Sequence, residues 1–151
     1  MSVNKKVRNA KKTVVDGIKF KSKLEAICYR ILIDNGFYPE YENKKFVLFK
    51  GFKLRENFHV YMPRNSKRSR AHELMEEYSK NILPITYKPD FYLNVNGKNV
   101  FIELKGKPND SYPLKKKMYF CAMNEGTDEA YFFEPHNEAQ INQLVSILKT
   151  L

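Results

Sequence analysis

The spacing of apolar positions changes along this chain, and the changes mark its elements. From Lys23 to about Asn35, Leu24, Ile27, Cys28, Ile31 and Leu32 recur at helical spacing and form one stripe. Ser22 and Glu25 stand at the S-x-x-E spacing of a capping box and Gly36 supplies a stop, so a helix is predicted here. Tyr41 to Phe49 and Lys53 to Met62, rich in aromatic and β-branched residues, predict two strands. Pro63 to Arg70 reads as a basic polar loop and Ala71 to Asn81 as a short acidic helix. Farther on, Pro113 to Asn124 predicts a helix and Ala130 to Phe133 a strand. Glu138 to Leu151 predicts an amphipathic helix, with Ile141, Leu144, Val145 and Leu148 available for core packing or dimerisation. Residues 1–14 lack periodicity and read as a basic flexible arm, leaving 15–151 as a single domain. Helix, strands, helix, strand, helix in that order predicts an α/β fold with a mixed central sheet flanked by helices.

The most informative stretch is Ile85 to Gly106. Asn96-Gly97 is a strong two-residue hairpin signal, because both central positions of a type I′ turn need positive φ. A turn there opposes Val95 to Lys98, Leu93 to Val100 and Phe91 to Ile102, and then Asp90 to Glu103. Opposed residues leave the sheet on the same side, with Cβ atoms about 4.5–5.5 Å apart. Lys105, two residues after Glu103, shares that side. The other face carries Phe91, Leu93, Val95, Val100, Ile102 and Leu104 and has to be buried. Two adjacent carboxylates raise each other's pKa, so a fold that pairs them calls for a cation. Oxygen ligands of this kind suit Mg²⁺, which takes one or two carboxylates, waters and substrate phosphate. The competing reading makes Glu103 and Lys105 a solvated edge and Asp90 a turn residue after Pro89.

Composition narrows the classes. A chain of 151 residues, 42% of them hydrophobic, has the material for one core. Its apolar runs are too short to span a membrane, and the basic N-terminal stretch lacks the apolar segment of a secretory signal, so a cytoplasmic protein is expected. Cys28 and Cys121, in apolar surroundings, read as buried thiols. His59, His72 and His136 are scattered, which excludes HExxH zinc chemistry, and the absence of phosphate-cradling glycine motifs argues against a nucleotide cofactor. The formal net charge of +10 is clustered. Lys5, Lys6, Arg8, Lys11 and Lys12 form one group, Arg64, Lys67, Arg68 and Arg70 a second, and Lys115, Lys116 and Lys117 a third, with Lys88 and Lys107 flanking the hairpin. Such clusters suit phosphate backbones, and nucleic acid is the expected partner.

Pro89-Asp90 followed by Glu103-Leu104-Lys105 resembles the metal site of the PD-(D/E)xK nuclease superfamily. The flanking blocks, Phe20 to Glu25, Asn35-Gly36-Phe37 leading to Glu40-Tyr41-Glu42, and Thr86 to Phe91, resemble in order those of phage-type Holliday-junction resolvases of the endonuclease I family. The resemblance implies a restriction-endonuclease-like core. In it Asp90, Glu103 and the Leu104 backbone carbonyl hold Mg²⁺, with Mn²⁺ able to substitute, and Lys105 orients the attacking water. Glu25 is implied as an additional helix carboxylate supporting metal or water. Its capping-box position gives Glu25 a competing role in helix stability, although it lies about 20° around the helix from Leu32 and can look toward the sheet. Relative to the resolvases, about 51–84 is an insertion and the basic C-terminal tail is absent. The resemblance implies a homodimer cutting branched DNA. A restriction-like or transposase-associated nuclease acting on linear duplex and a non-catalytic DNA-binding accessory protein remain as alternatives.

Overall fold

Asp16 and Gly17 both adopt positive φ, 49° and 77°, and turn Thr13–Val15 (β1) back onto Ile18–Phe20 (β2) as an antiparallel hairpin. Regular structure therefore begins inside the stretch read as a basic arm and before Phe20. The computed structural model describes residues 12–63, 74–76, 81–106 and 111–151. Its described residues form two compact units, one running to Leu48 and resuming at Thr86, the other within Phe49–Ile85.

In the larger unit the first helix, α1 (Lys23–Asp34), starts where the capping box predicts. Extended Ser22 accepts the Glu25 N–H at 3.2 Å and donates its hydroxyl to Glu25 Oε1 at 2.7 Å. Gly36, at φ 81°, follows the C-terminal Asn35. Ser22→Ala is expected to cost about 1 kcal/mol and to lower the melting temperature by about 2–4 °C, read by thermal denaturation. A melting temperature unchanged within 1 °C would show the cap to be dispensable.

The predicted strand over Tyr41 to Phe49 is two pieces, β3 (Glu40–Tyr41) and β4 (Phe46–Phe49), because Glu42 takes a left-handed φ of 46° and breaks the extended run. Lys53 to Met62 is likewise divided between β5 (Phe52–Lys53) and β6 (Tyr61–Pro63), with a turn closed by the Phe58 N–H on the Arg55 carbonyl. The acidic helix expected over Ala71 to Asn81 is not found where the chain is described. Leu74–Glu76 is a strand, β7, antiparallel to β6, and Asn81–Ile82 is β8, antiparallel to β5. Cross-strand pairing outweighs local helix propensity here.

The chain returns through β9 (Ile85–Tyr87), which pairs with β4, and enters the hairpin of β10 (Phe91–Val95) and β11 (Lys98–Ile102). Asn96 and Gly97 have φ of 50° and 86°, and the register opposes Phe91 to Ile102, Leu93 to Val100 and Val95 to Lys98 as predicted. Then follow α2 (Tyr112–Asn124), β12 (Ala130–Phe133) and α3 (Glu138–Leu148). The central sheet is mixed, in the order β12-β11-β10-β3, with β12 parallel to β11 and the other pairs antiparallel.

The alternation of the hairpin decides what covers each face. Phe91, Leu93, Val95, Val100, Ile102 and Leu104 are buried against Ala26, Cys28, Tyr29 and Leu32 of α1 and the predicted stripe Ile141, Leu144, Val145 and Leu148 of α3. That helix is core packing. On the other face Phe101 and Tyr92 pack with Tyr119 of α2 and with Phe46 and Tyr87. Cys28 is fully buried, and burial pushes its thiol up to about 12. Cys121, expected inside, is exposed on α2 beside Glu125, because α2 turns Tyr119 rather than Cys121 toward the sheet. Among the described residues no helix is long and apolar enough to cross a membrane.

Candidate active site

Asp90 precedes β10 and Glu103 follows β11, so the hairpin register carries their side chains to one end of the sheet, on the same side. Backbone bonds continue past the strand ends and hold both residues. The Asp90 carbonyl accepts the Glu42 N–H at 2.8 Å, and the Glu103 N–H reaches the Phe133 carbonyl at 2.9 Å. The Leu104 N–H donates to Asp90 Oδ2 at 2.7 Å, fixing that carboxylate across the open end of the hairpin. Pro89, fully buried, leads into Asp90.

Glu103 is only 4% exposed and both its oxygens are engaged. The Tyr87 hydroxyl donates to Oε2 at 2.8 Å, and Lys105 Nζ lies 2.5 Å from Oε1. Lys105 also sits over the ring of Tyr112, 4.2 Å from its centroid. Burial, and then the neighbouring Glu103 charge, push Asp90 well above the ordinary carboxylate range, with Glu25 adding to the effect. The Leu104 N–H and Lys105 oppose the rise without cancelling it. Tyr87 is raised by burial and by its bond to Glu103, so it stays a neutral donor.

Glu25 is buried, and its oxygens are already taken. Oε1 accepts from Ser22, while Oε2 accepts the Tyr41 hydroxyl at 2.6 Å and the Lys21 N–H at 3.0 Å. Its interactions are those of a capping box extended by a tyrosine, and its charge reaches Asp90 through space. Among the described residues no group of three or more His, Cys, Asp or Glu side chains is assembled to hold a metal ion. Glu25 therefore does not join Asp90 and Glu103 in one ligand set in this arrangement.

The candidate phosphate contacts divide. Lys12, Lys88 and Lys117 are exposed and Lys115 is half-buried. Lys116 is occupied, its Nζ donating to Glu134 at 2.8 Å. Lys5, Lys6, Arg8, Lys11, Arg64, Lys67, Arg68, Arg70 and Lys107 lie outside the described residues.

Four residues at this end of the sheet are given no role by the sequence: Tyr41, Tyr87, Tyr112 and Glu134. Tyr112 donates its hydroxyl to Glu134 at 2.7 Å. Burial alone would raise Glu134, but hydrogen bonds from Lys116 and Tyr112 outweigh it and hold the carboxyl below its ordinary range.

Neither the curated proteins nor the solved structures contain a match to this chain. One family model does match, that of "Protein of unknown function (DUF1064)", over residues 5–129. That span is most of the chain and includes Glu25, Asp90, Glu103, Lys105 and Tyr112, so this protein belongs to the DUF1064 family.

Proposed function

We propose that this DUF1064 protein is a Mg²⁺-dependent DNA endonuclease with a PD-(D/E)xK-type site, acting on branched DNA. The observation that carries the reading is the pairing of Asp90 with Glu103 at the open end of the hairpin, with Lys105 on the same side. Burial first, and the Glu103 carboxylate beside it second, make Asp90 hold its proton, so its ionised form lacks a counter-charge, and a divalent cation is the natural one. Asp90 uses one oxygen for the Leu104 N–H, and the residue is half-buried rather than sealed. Each carboxylate oxygen has two lone pairs, so Glu103 Oε1 can take a cation beside Lys105, and the residues fit one that is shared with the second oxygen of Asp90, with the Leu104 carbonyl as an adjoining donor.

When bound, Mg²⁺ supplies Lewis-acid polarisation of the scissile phosphate and lowers the pKa of a water. The protein's own groups do the rest. Leu104 and Tyr87 hold the two carboxylates in place without supplying charge. Lys105 sets an ammonium beside the position of the phosphate, where it stabilises charge gathering on the phosphoryl oxygens. Exposed Lys88, Lys117 and Lys12 are available to the flanking backbone, which positions DNA without reading sequence. Ends bearing 5′-phosphate and 3′-hydroxyl are expected. A homodimer with one site on each of two opposing strands matches the two-fold character of a four-way junction.

The test incubates full-length protein with labelled four-way junction, matched linear duplex and single strand, with Mg²⁺ or EDTA, and maps the ends on a denaturing gel. Paired cuts near the branch that vanish in EDTA are expected. Equal cutting of linear duplex would keep the chemistry and replace the substrate, and no cutting of any DNA would leave a binding protein.

A further inference from the structure

We infer that Tyr112 is a positioning residue for Lys105, the face of its buried ring holding the Lys105 ammonium against Glu103. The inference rests on the reading of Lys105 as a catalytic group and explains how a flexible four-carbon side chain is kept at one place in that site.

Lys105 is held from two directions by one short segment. Its backbone N–H donates to the Pro135 carbonyl at 3.3 Å. Its ammonium lies 4.2 Å from the centroid of the Tyr112 ring, well inside the roughly 6 Å over which a cation is drawn to an aromatic face. That ring is itself fixed. Tyr112 is 5% exposed, opens α2, and donates its hydroxyl to Glu134, the residue before Pro135. Lys116, one turn along α2, donates to the same Glu134 oxygen, and His136 Nε2 lies 3.5 Å from the other. Residues 134–135 thus set both the backbone of Lys105 and the platform beneath its side chain.

The arrangement does something plain core packing would not. A tyrosine that only filled volume would cost stability when cut back to leucine but would leave the Lys105 ammonium where it stands. A ring face under an ammonium restricts where that charge can stand, and charge stabilisation at a phosphate depends steeply on placement. Lys116, one of three consecutive lysines that read as phosphate contacts, is thereby assigned to the support of Tyr112.

The experiment uses the full chain as wild type, Tyr112→Phe and Tyr112→Leu, with lysine labelled by ¹³C at Cε and the Lys105 signal assigned through Lys105→Arg. In the wild type and in Tyr112→Phe the Lys105 Hε signals are expected upfield of the other lysines, shifted by the ring. In Tyr112→Leu they move to the bulk position while the remaining spectrum stays folded. Cleavage of a DNA the wild type cuts is expected to lose about 10–30-fold in kcat in Tyr112→Leu, with KM changed less than about threefold, and to stay within about threefold of wild type in Tyr112→Phe. A Lys105 signal at the bulk position in the wild type, or unmoved in Tyr112→Leu, overturns the inference. So does an equal loss of kcat in both variants. If the wild type cuts no DNA, the nuclease reading fails by itself, and the NMR arm still decides whether Tyr112 holds Lys105.

Discussion

Glu103→Gln is expected to lower metal-dependent cleavage by at least about 10³-fold while leaving the protein folded. The substitution changes little besides charge. Glutamine keeps the shape and can still accept the Tyr87 hydroxyl through its amide oxygen, so the buried side of the site remains satisfied. What disappears is the anionic half of the carboxylate pair and the counter-ion of Lys105. A cation offered Asp90 alone has one charged ligand instead of two, and the ammonium loses the partner that holds it beside the phosphate. Single-turnover cleavage rates measured beside a thermal melt separate loss of chemistry from loss of fold. A variant retaining a tenth of wild-type activity would remove Glu103 from the chemistry.

The second large effect concerns stability and runs opposite to activity. Burial and the Glu103 charge push Asp90 from its ordinary 3.8 up to about 8. Between about pH 4 and pH 8 the folded protein therefore holds a proton on Asp90 that the unfolded chain has released. Stability falls with pH wherever the folded state binds more protons, so the cation-free protein loses stability as pH rises through this window. The loss amounts to a few kcal/mol by pH 8, or roughly 5–15 °C of melting temperature. Asp90→Asn has no such proton to lose. It should melt with the wild type near pH 4.5 and above it by that margin at pH 8 in EDTA. Added Mg²⁺ or Mn²⁺ should raise the wild type more at pH 8 than at pH 5 and leave the variant nearly unmoved. Parallel melting curves for the two proteins across this range would mean that Asp90 is not held protonated.

The parts of this fold readable in advance are those whose signals are local. Asn96-Gly97 sets the hairpin register by conformation alone, and the register carries Asp90 opposite Glu103 with no help from the rest of the chain. The stripe of α3, the Cys28 and Leu32 part of the α1 stripe, whose Leu24, Ile27 and Ile31 are only partly buried, and the Ser22 cap depend on neighbours within two turns. The β1–β2 hairpin had a comparable signal in Asp16-Gly17, hidden by the lysines around it. Strand breaks at Glu42 and between β5 and β6, and the strand at Leu74–Glu76, follow from backbone turns and pairing partners distant in sequence. The tyrosines are the clearest loss. Tyr41 meets Glu25 across 16 positions, Tyr87 meets Glu103 across 16, and Tyr112 meets Glu134 across 22, and no periodicity announces a hydroxyl's partner at such range. Spacing does show the local bond of Glu25 to Ser22, but for the same reason it could not show that Tyr41 takes a further share of the Glu25 carboxylate.

The ladder that runs past the end of β11 also sets an order of events. Glu103 and Lys105 donate their backbone N–H groups to Phe133 and Pro135, contacts that close loops of 30 residues through α2. Hairpin closure is a microsecond event, whereas contacts between distant segments wait on loop entropy. During synthesis the opposed carboxylates can therefore form as soon as β11 is made, while the placement of Lys105 waits for the segment that follows β12. A growing chain that has not yet reached Pro135 carries Asp90, Glu103 and Lys105 but not the arrangement that uses them, so the site matures only once the segment after β12 has been added.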